Sequence, residues 1–161
     1  MAVQIVYETH STSEDNEQDI ATGWLGGCLS RAGREQAERL GDRRRDDGID
    51  VVIASDLNRA VETAQVAFEG SRIPVRLDWR LRECDYGEMN GMPRSHLESE
   101  RGSRIDVPFP GGESWRRAVG RVTGFLREID ETRGRQRVLL IGMSRLDGLS
   151  TITSAAFPSK H

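Results

Sequence analysis

Three short runs of apolar, β-branched residues constrain the fold of this chain more than any other feature of its sequence. They lie at residues 3–7, 50–54 and 138–141, and segments with helical periodicity separate them. Strands that alternate with helices form a parallel sheet that is covered by helices on both faces. The sequence therefore predicts an α/β fold, a three-layer sandwich with a mostly parallel central sheet.

The segments between these runs carry residues that typically begin and end helices. Ser30 precedes the first helical segment, and either Ser55 or Asp56 precedes the second. Such side chains accept hydrogen bonds from the first free backbone N–H groups of a helix. Gly48 and Gly70 follow the two segments, as glycine often does after a helix. We predict helices over residues 32–45, over residues 57–68 and from Ser114 onward, with a weaker strand over residues 74–77.

Residues 78–113 interrupt this alternation with a polar stretch that contains several glycines and prolines. A stretch of this length is typical of a functional insertion. Because sites in parallel sheets form at the C-terminal ends of the strands, we expect the chemistry to follow Tyr7, Ala54 and Gly142. We assign residues 1–142 to one α/β domain, with the insertion near its site.

Charge and cysteine content exclude several functional classes. The formal charge is −3 and the sequence pI is about 5.7, whereas a general nucleic-acid binder normally shows a basic excess. No apolar run approaches the roughly 20 residues that cross a bilayer, and the first residues show no signal peptide. Cys28 and Cys84 match no zinc or redox spacing. We therefore expect a cytoplasmic protein with reduced cysteines that binds neither nucleic acid nor membrane.

Polar motifs follow the first two strands, where the site is expected. His10 follows the first strand, and Asn16 lies six residues later. Residues 55–64 read Ser-Asp-Leu-Asn-Arg-Ala-Val-Glu-Thr-Ala after the second strand. Residues 29–37 read Leu-Ser-Arg-Ala-Gly-Arg-Glu-Gln-Ala, and residues 81–91 hold Leu-Arg-Glu followed by two spaced glycines. Over most of the chain these motifs resemble the histidine phosphatase superfamily, the phosphoglycerate-mutase-like proteins.

The resemblance implies an activity and a role for four residues. In such chemistry a neutral imidazole attacks phosphorus, arginine holds the phosphoryl oxygens and a carboxylic acid protonates the leaving alkoxide. By resemblance His10 is the nucleophile, Glu83 the acid, Arg59 the phosphate clamp and Asn16 a polar contact. The resemblance further implies hydrolysis of a small phosphorylated metabolite through a phosphohistidine on His10, with no metal or organic cofactor.

Each of these residues also has a purely structural interpretation. A histidine after a strand can be a solvated loop residue, and Arg59 is one arginine among many. Glu83 can pair with Arg80 or Arg82, and Asn16 can cap a turn.

The sequence departs from the superfamily pattern on both sides of the nucleophile. Thr9 stands where the family carries arginine, and Ser11 where it carries glycine. Loss of the arginine removes a bidentate phosphate contact, and one such donor is worth on the order of 10²–10³ in rate. Arg82 is a candidate to compensate for this loss in the pocket.

A second departure is at the end of the last strand, where Met143 stands in place of the second histidine of the family pocket. A thioether has no N–H to donate and no charge. Residues 143–161 form an atypical tail in which the C-terminal helix and strand of the family are missing. One explanation is a one-base deletion in the reading frame after Ile141, since a shifted reading restores a histidine directly after the glycine. The other explanation is a naturally degenerate C-terminus.

With Thr9 and Met143 in place, we expect phosphatase activity that is weak or lost. The alternative is a non-catalytic phosphate-binding or interaction module on the same fold. A mutase is a less favoured third interpretation, because an incomplete pocket would lose the phosphoryl group to water. The missing C-terminal elements would expose an apolar sheet face, which favours a homo-oligomer through that edge.

Overall fold

The computed structural model describes residues 2–143 of the chain. Its strands and helices, in chain order, are β1 (Gln4–Thr9), α1 (Glu14–Glu17), β2 (Ile20–Ala21), α2 (Arg31–Arg44), β3 (Val51–Ala54), α3 (Asn58–Phe68), β4 (Val75–Leu77), β5 (Met92–Pro93), α4 (Arg94–Glu100), α5 (Trp115–Thr132) and β6 (Arg137–Gly142). Short 3₁₀ turns lie at Trp79–Leu81, Gly87–Met89 and Arg101–Arg104.

The central sheet has the strand order β1-β6-β3-β4, and every pair of neighbouring strands is parallel. Leu139 of β6 lies opposite Val6 on one side and Val52 on the other. Strand β3 is buried along its whole length, as expected for a continuous apolar run inside a parallel sheet. The predicted parallel sheet is confirmed.

Helices cover both faces of this sheet. Val52 and Leu139 pack with the apolar side chains of α2 and α3 on one face. Their neighbours Ile53 and Leu140 pack with Phe125 and the other apolar residues of α5 on the opposite face. Because successive side chains of a strand point to opposite faces, one buried run supplies two cores. The predicted three-layer α/β sandwich is confirmed.

All three predicted helices begin within one residue of the expected position, but only two of the three predicted caps agree with the structure. The Ser30 hydroxyl accepts a hydrogen bond from the Gly33 N–H at 3.0 Å, so it caps α2. Ser114 caps α5 in the same way. The prediction that Ser55 or Asp56 caps α3 is wrong, because the N-cap residue is Leu57 and no side chain caps this helix.

The insertion over residues 78–113 builds a small lobe beside the sheet edge. Its strand β5 pairs with β2 in an antiparallel ribbon. The aromatic rings of Tyr86 and Phe109 meet edge to face in its core, with centroids 5.3 Å apart. Gly87 adopts a positive φ of 55°, and a Cβ atom there would lie 2.1 Å from the Pro110 carbonyl oxygen. The lobe therefore folds against its own backbone at a position that only glycine can fill.

Residues 144–161, which make up the atypical tail after Met143, lie outside the described residues. Most of the segment that follows the proposed deletion after Ile141 is therefore not described. Within residues 2–143, no helix combines the length and the apolar character needed to span a membrane.

Candidate active site

A pocket opens where β1 and β3 end, at the edge of the sheet where parallel strands usually build their sites. Its wall contains His10 from the segment after β1, Asn16 from α1, Arg59 from the first turn of α3 and Glu83 from the insertion. The structure therefore brings together all four of the residues that the sequence motifs single out.

His10 is a buried, neutral imidazole. Its Nδ1–H donates to the backbone carbonyl of Ser11 at 2.8 Å, and its Nε2 accepts a hydrogen bond from the Nε–H of Arg59 at 3.3 Å. Burial, and then the positive charge of Arg59, lower the pKa of His10 to about 4. Near neutral pH the ring is therefore uncharged, with the proton on Nδ1 and a lone pair on Nε2.

Arg59 brings a positive charge and an unsatisfied donor to the pocket. Its side chain is buried, and its Nη2 donates to the Gly23 carbonyl at 2.8 Å. Its Nη1 is also buried, and it has no hydrogen-bond partner within the described part of the chain. Burial lowers the pKa of this guanidinium. A buried cationic donor without a partner is costly, so this site favours an anion.

Asn16 both lines the pocket and caps a helix. The Ser13 hydroxyl accepts from the Asn16 backbone N–H at 3.1 Å, while the Asn16 Oδ1 accepts from the Ser13 N–H at 3.0 Å. This reciprocal capping box fixes the side-chain amide. The structural and the functional interpretations of Asn16 are therefore compatible, because the cap orients a side chain that reaches the pocket wall.

Glu83 is a buried carboxylic residue in the wall of the same pocket. Its Oε1 accepts from the Cys84 N–H at 3.2 Å. The pKa of Tyr86 is raised, first by burial and then by the nearby charge of Glu83. Glu83 also contributes to the electrostatic environment of Arg59. The pocket thus holds a carboxyl group, a cation and a neutral imidazole in close proximity.

Neither arginine that the sequence offers as a partner for Glu83 is available to it. Arg80 pairs with Asp78 and Glu128. Arg82 makes two hydrogen bonds to the Asp56 carboxylate, at 2.6 and 2.7 Å.

Three residues suggested as pocket or compensating residues lie outside the pocket wall. Arg82 is held by Asp56 and lies over the Trp24 ring, 4.6 Å from its centroid. Thr9 is exposed at the end of β1. Ser11 is buried, and its backbone N–H donates to the Thr63 hydroxyl at 2.9 Å.

Met143 lies in the apolar core and not in the pocket wall. It is 5% exposed and belongs to the cluster that contains Leu81 and Val122. Its backbone carbonyl accepts a hydrogen bond from the Tyr7 hydroxyl. Within the described residues, His10 is the histidine that lines the pocket.

The outer wall of the pocket, which the insertion and the start of α5 build, was not predicted from the sequence. Arg94 and Arg101 bring two cationic side chains there, Glu98 brings a carboxylate, and Leu97 and Trp115 add apolar surface. The Arg101 guanidinium lies 5.3 Å from the centroid of the Trp115 ring. The available signal was the length of the insertion, which does not say which of its arginines turn inward. The Trp24 indole, by contrast, packs beneath Arg82 and donates to the Glu83 carbonyl at 2.7 Å.

No group of three or more histidine, cysteine, aspartate or glutamate side chains suited to hold a metal ion forms within residues 2–143. The pocket combines groups that bind an anion, Arg59 and Asn16, with the carboxylates of Glu83 and Glu98.

Comparison with known proteins identifies relatives of this chain. A family model described as the histidine phosphatase superfamily (branch 1) matches residues 9–144. Phosphoglycerate mutase of Candida albicans is 33% identical over 66% of this chain and 48% of its own length. The 2,3-bisphosphoglycerate-dependent phosphoglycerate mutase of Methylobacterium sp. is 33% identical over 92% of this chain and 83% of its own.

A solved structure of similar fold is Bacillus stearothermophilus YhfR. It has a TM-score of 0.80 and 25% sequence identity, and the match covers 96% of this chain and 79% of that one. The chain spans about half the length of several curated relatives that it matches.

Proposed function

The chain belongs to the histidine phosphatase superfamily, and from this premise we propose that it hydrolyses phosphate monoesters through a phosphohistidine on His10. The observation that carries the proposal is the uncharged imidazole whose Nε2 lies 3.3 Å from the Arg59 guanidinium. Glu83 lines the same pocket. A nucleophile, a cation for the phosphoryl oxygens and a proton donor are thus available to one substrate.

In the first step, the hydrogen bond from the Arg59 Nε–H to Nε2 of His10 breaks, and the Nε2 lone pair attacks phosphorus and forms a P–N bond. The P–O bond to the leaving group breaks, and its electron pair goes to the ester oxygen. The Glu83 carboxylic acid gives this oxygen a proton, so that the product leaves as an alcohol. The unsatisfied Nη1 of Arg59 and the amide of Asn16 stabilise the charge on the phosphoryl oxygens.

In the second step, water attacks the phosphohistidine. The Glu83 carboxylate accepts the proton from the water, the P–N bond breaks and its electron pair returns to Nε2. Inorganic phosphate leaves, and His10 and Glu83 regain their starting protonation states. The hydrogen bond from Nδ1 to the Ser11 carbonyl keeps the ring in one tautomer throughout. The imidazole supplies the nucleophile and Arg59 the positive charge, so the cycle as written uses no metal or organic cofactor.

We further propose that the substrate is a small phosphorylated metabolite. Arg94 and Arg101 line the pocket on the side away from the sheet, where they would meet the part of the substrate beyond its phosphate. Two cationic side chains together with the Glu98 carboxylate favour a polar body over an apolar one.

Turnover is proposed to be slower than in superfamily members with a full set of phosphate contacts. Thr9 and Met143 bring no charged donor to positions where the family carries arginine and histidine. Arg82 does not replace them, since Asp56 occupies its guanidinium.

The test is a phosphate-release assay on a panel of small phosphate monoesters, with His10→Ala and the matched control His96→Ala. His96 lies on the exposed surface of α4. We expect slow release by the parent and by the control, no release by His10→Ala, and an acid-labile phosphoryl label on the parent that His10→Ala lacks. Unchanged release by His10→Ala would overturn the proposal.

Two other outcomes of this assay would indicate a different function. Phosphate esters that bind without turnover would indicate a non-catalytic binding module. Transfer of the label to a second hydroxyl group without phosphate release would indicate a mutase, which is the activity named for the relatives from Candida albicans and Methylobacterium.

A further inference from the structure

Every N–H group of the Arg121 guanidinium, in α5, donates a hydrogen bond. Three of the acceptors are backbone carbonyls in the segment that ends at Glu83. Its Nη1 donates to the carbonyls of Arg80 and Arg82, at 2.7 and 3.0 Å. Its Nη2 donates to the Glu83 carbonyl at 3.2 Å. The side chain is only 6% exposed. A planar, buried fork with all its donors engaged holds the segment that it contacts in one conformation.

The two remaining N–H groups of Arg121 bind a carboxylate that itself holds the other side of Glu83. Arg121 contacts the Glu113 oxygens at 3.0 and 2.8 Å. The Glu113 Oε2 also accepts from the Asp85 N–H at 3.1 Å, and the Glu113 N–H donates to the Asp85 carbonyl at 2.8 Å. The ion pair therefore holds the chain both before and after Glu83.

The carbonyl of Glu83 receives a second donor from the opposite direction. The Trp24 indole N–H donates to it at 2.7 Å, and the Arg121 guanidinium lies 5.9 Å from the centroid of the same indole. The peptide plane that carries the Glu83 side chain is thus fixed by two donors from distant parts of the sequence.

We propose that Arg121, together with Glu113, is a positioning residue that sets the Glu83 carboxyl where it can protonate the leaving oxygen. This inference rests on the proposed function, in which Glu83 gives its proton as the P–O bond breaks. Proton transfer requires hydrogen-bond distance between donor and acceptor atoms, so a small displacement of the Glu83 backbone weakens that step selectively.

The leaving group provides the test, because a good leaving group departs without a proton. We compare kcat/KM for 4-nitrophenyl phosphate and for glycerol 3-phosphate, whose alkoxide needs protonation. This ratio reports the first step, in which the P–O bond breaks, whereas hydrolysis of the phosphohistidine is common to both substrates. For Arg121→Lys we expect kcat/KM on glycerol 3-phosphate to fall about 10-fold or more, and kcat/KM on 4-nitrophenyl phosphate to change less than about 3-fold. The Kd for inorganic phosphate should stay within about 2-fold of the parent, because Arg121 does not line the pocket. Glu113→Gln keeps the shape of the pair and should show the same selectivity in weaker form.

Arg80→Lys is the matched control. Arg80 precedes the same segment and also pairs with carboxylates, but its guanidinium does not contact the Glu83 backbone. It should lower the melting temperature without a difference between the two substrates. An equal loss on both substrates in Arg121→Lys would indicate a merely structural role, and no loss would also overturn the inference.

The acid itself is tested in the same assay with Glu83→Gln. Leaving-group selectivity in Glu83→Gln but not in Arg121→Lys would overturn only the positioning role. Absence of selectivity in Glu83→Gln, or a parent protein that turns over neither substrate, would overturn the proposed function and this inference with it.

Discussion

The Nε atom of Arg59 lies 3.3 Å from the Nε2 atom of His10. This contact arises because β1 and β3 end at the same edge of the sheet, so that the segment after β1 meets the first turn of α3. The charge that helps to keep the imidazole unprotonated therefore lies beside the Nε2 atom that we propose as the nucleophile. In the proposed mechanism, one arginine both controls the protonation state of His10 and binds the phosphoryl group.

Replacement of Arg59 by lysine tests this double role. Lysine keeps the charge but loses the fork that reaches His10 and the Gly23 carbonyl together. We expect kcat/KM for phosphate release to fall by about 10²–10³. Arg34→Lys is the control, since its guanidinium is 55% exposed and pairs with Glu62 on the surface. A loss in Arg59→Lys as small as that in the control would contradict the assignment.

The lowered pKa of His10 predicts a specific dependence of stability on pH. The folded protein holds the ring neutral down to about pH 4, whereas the ordinary pKa is 6.5. As the pH falls, the imidazole of the unfolded chain therefore binds a proton before that of the folded protein does. The contribution of His10 to the free energy of unfolding is complete above pH 6.5 and declines between pH 6.5 and 4. The shift corresponds to about 3 kcal/mol of unfolding free energy.

The measurement is urea denaturation at a series of pH values for the parent, His10→Gln and His96→Gln. We expect His10→Gln to lose the part of the decline that the buried imidazole contributes. His96→Gln changes a histidine on the exposed face of α4 and should follow the parent curve. Identical slopes for the parent and His10→Gln between pH 6.5 and 4 would show that the folded ring is protonated normally.

The parallel sheet could be predicted because its signals are local, and the four residues that share the pocket could be predicted because their motifs resemble those of a known family. A continuous apolar run such as β3 and a capping serine such as Ser30 act on neighbouring residues, so the sequence shows them directly. Asn16 lies six residues after His10, and the capping box with Ser13 fixes it at the start of α1.

The features that could not be predicted all depend on contacts between residues that are distant in the sequence. Arg82 could not be distinguished from a pocket arginine, since its partner Asp56 lies 26 positions away. The same pair occupies the Asp56 carboxylate, and α3 has Leu57 as its N-cap residue with no side-chain cap. Arg94 and Arg101 turn toward the pocket only because the insertion folds back beside β2.

Gly33 lies in the first turn of α2, where the helix approaches another part of the backbone closely. A Cβ atom at Gly33 would lie 1.9 Å from the backbone oxygen of Thr12, in the loop that carries His10. Gly33→Ala should therefore destabilise the protein by about 1–3 kcal/mol, although alanine is the better helix former. Gly120→Ala in α5 meets no atom within 4 Å and should stabilise it, by about 0.5–1 kcal/mol. Chemical denaturation of both variants checks the sign, and a stabilised Gly33→Ala would contradict the close approach of α2.

Arg82→Met tests whether Arg82 only forms an ion pair with Asp56 or also contributes to phosphate binding. The pair is partly exposed, so its loss should lower stability by about 1 kcal/mol or less. Because the guanidinium does not line the pocket, the Kd for inorganic phosphate should stay within about 2-fold of the parent, as measured by isothermal titration calorimetry. If Arg82→Met weakened phosphate binding as strongly as Arg59→Lys, Arg82 would be assigned to the phosphate site.

Met143 follows β6, which ends at the same edge of the sheet as β1 and β3. β1 leads to His10 and β3 leads to Arg59, but β6 leads to a buried thioether that packs with Leu81. The Gly142 carbonyl accepts from the His10 N–H at 3.2 Å, so the residue after Gly142 begins beside the nucleophile. A histidine there would extend the set of phosphate contacts, which methionine cannot do.

We therefore expect genomic DNA across the codons for Ile141 to Arg145 to contain one additional base that restores a histidine after the glycine. The corrected protein should then release phosphate faster than the chain with Met143, and the same assay compares the two. DNA that agrees with the present sequence would exclude the frameshift. Met143 would then be a native residue, and the slow turnover proposed for this chain would be a property of the natural protein.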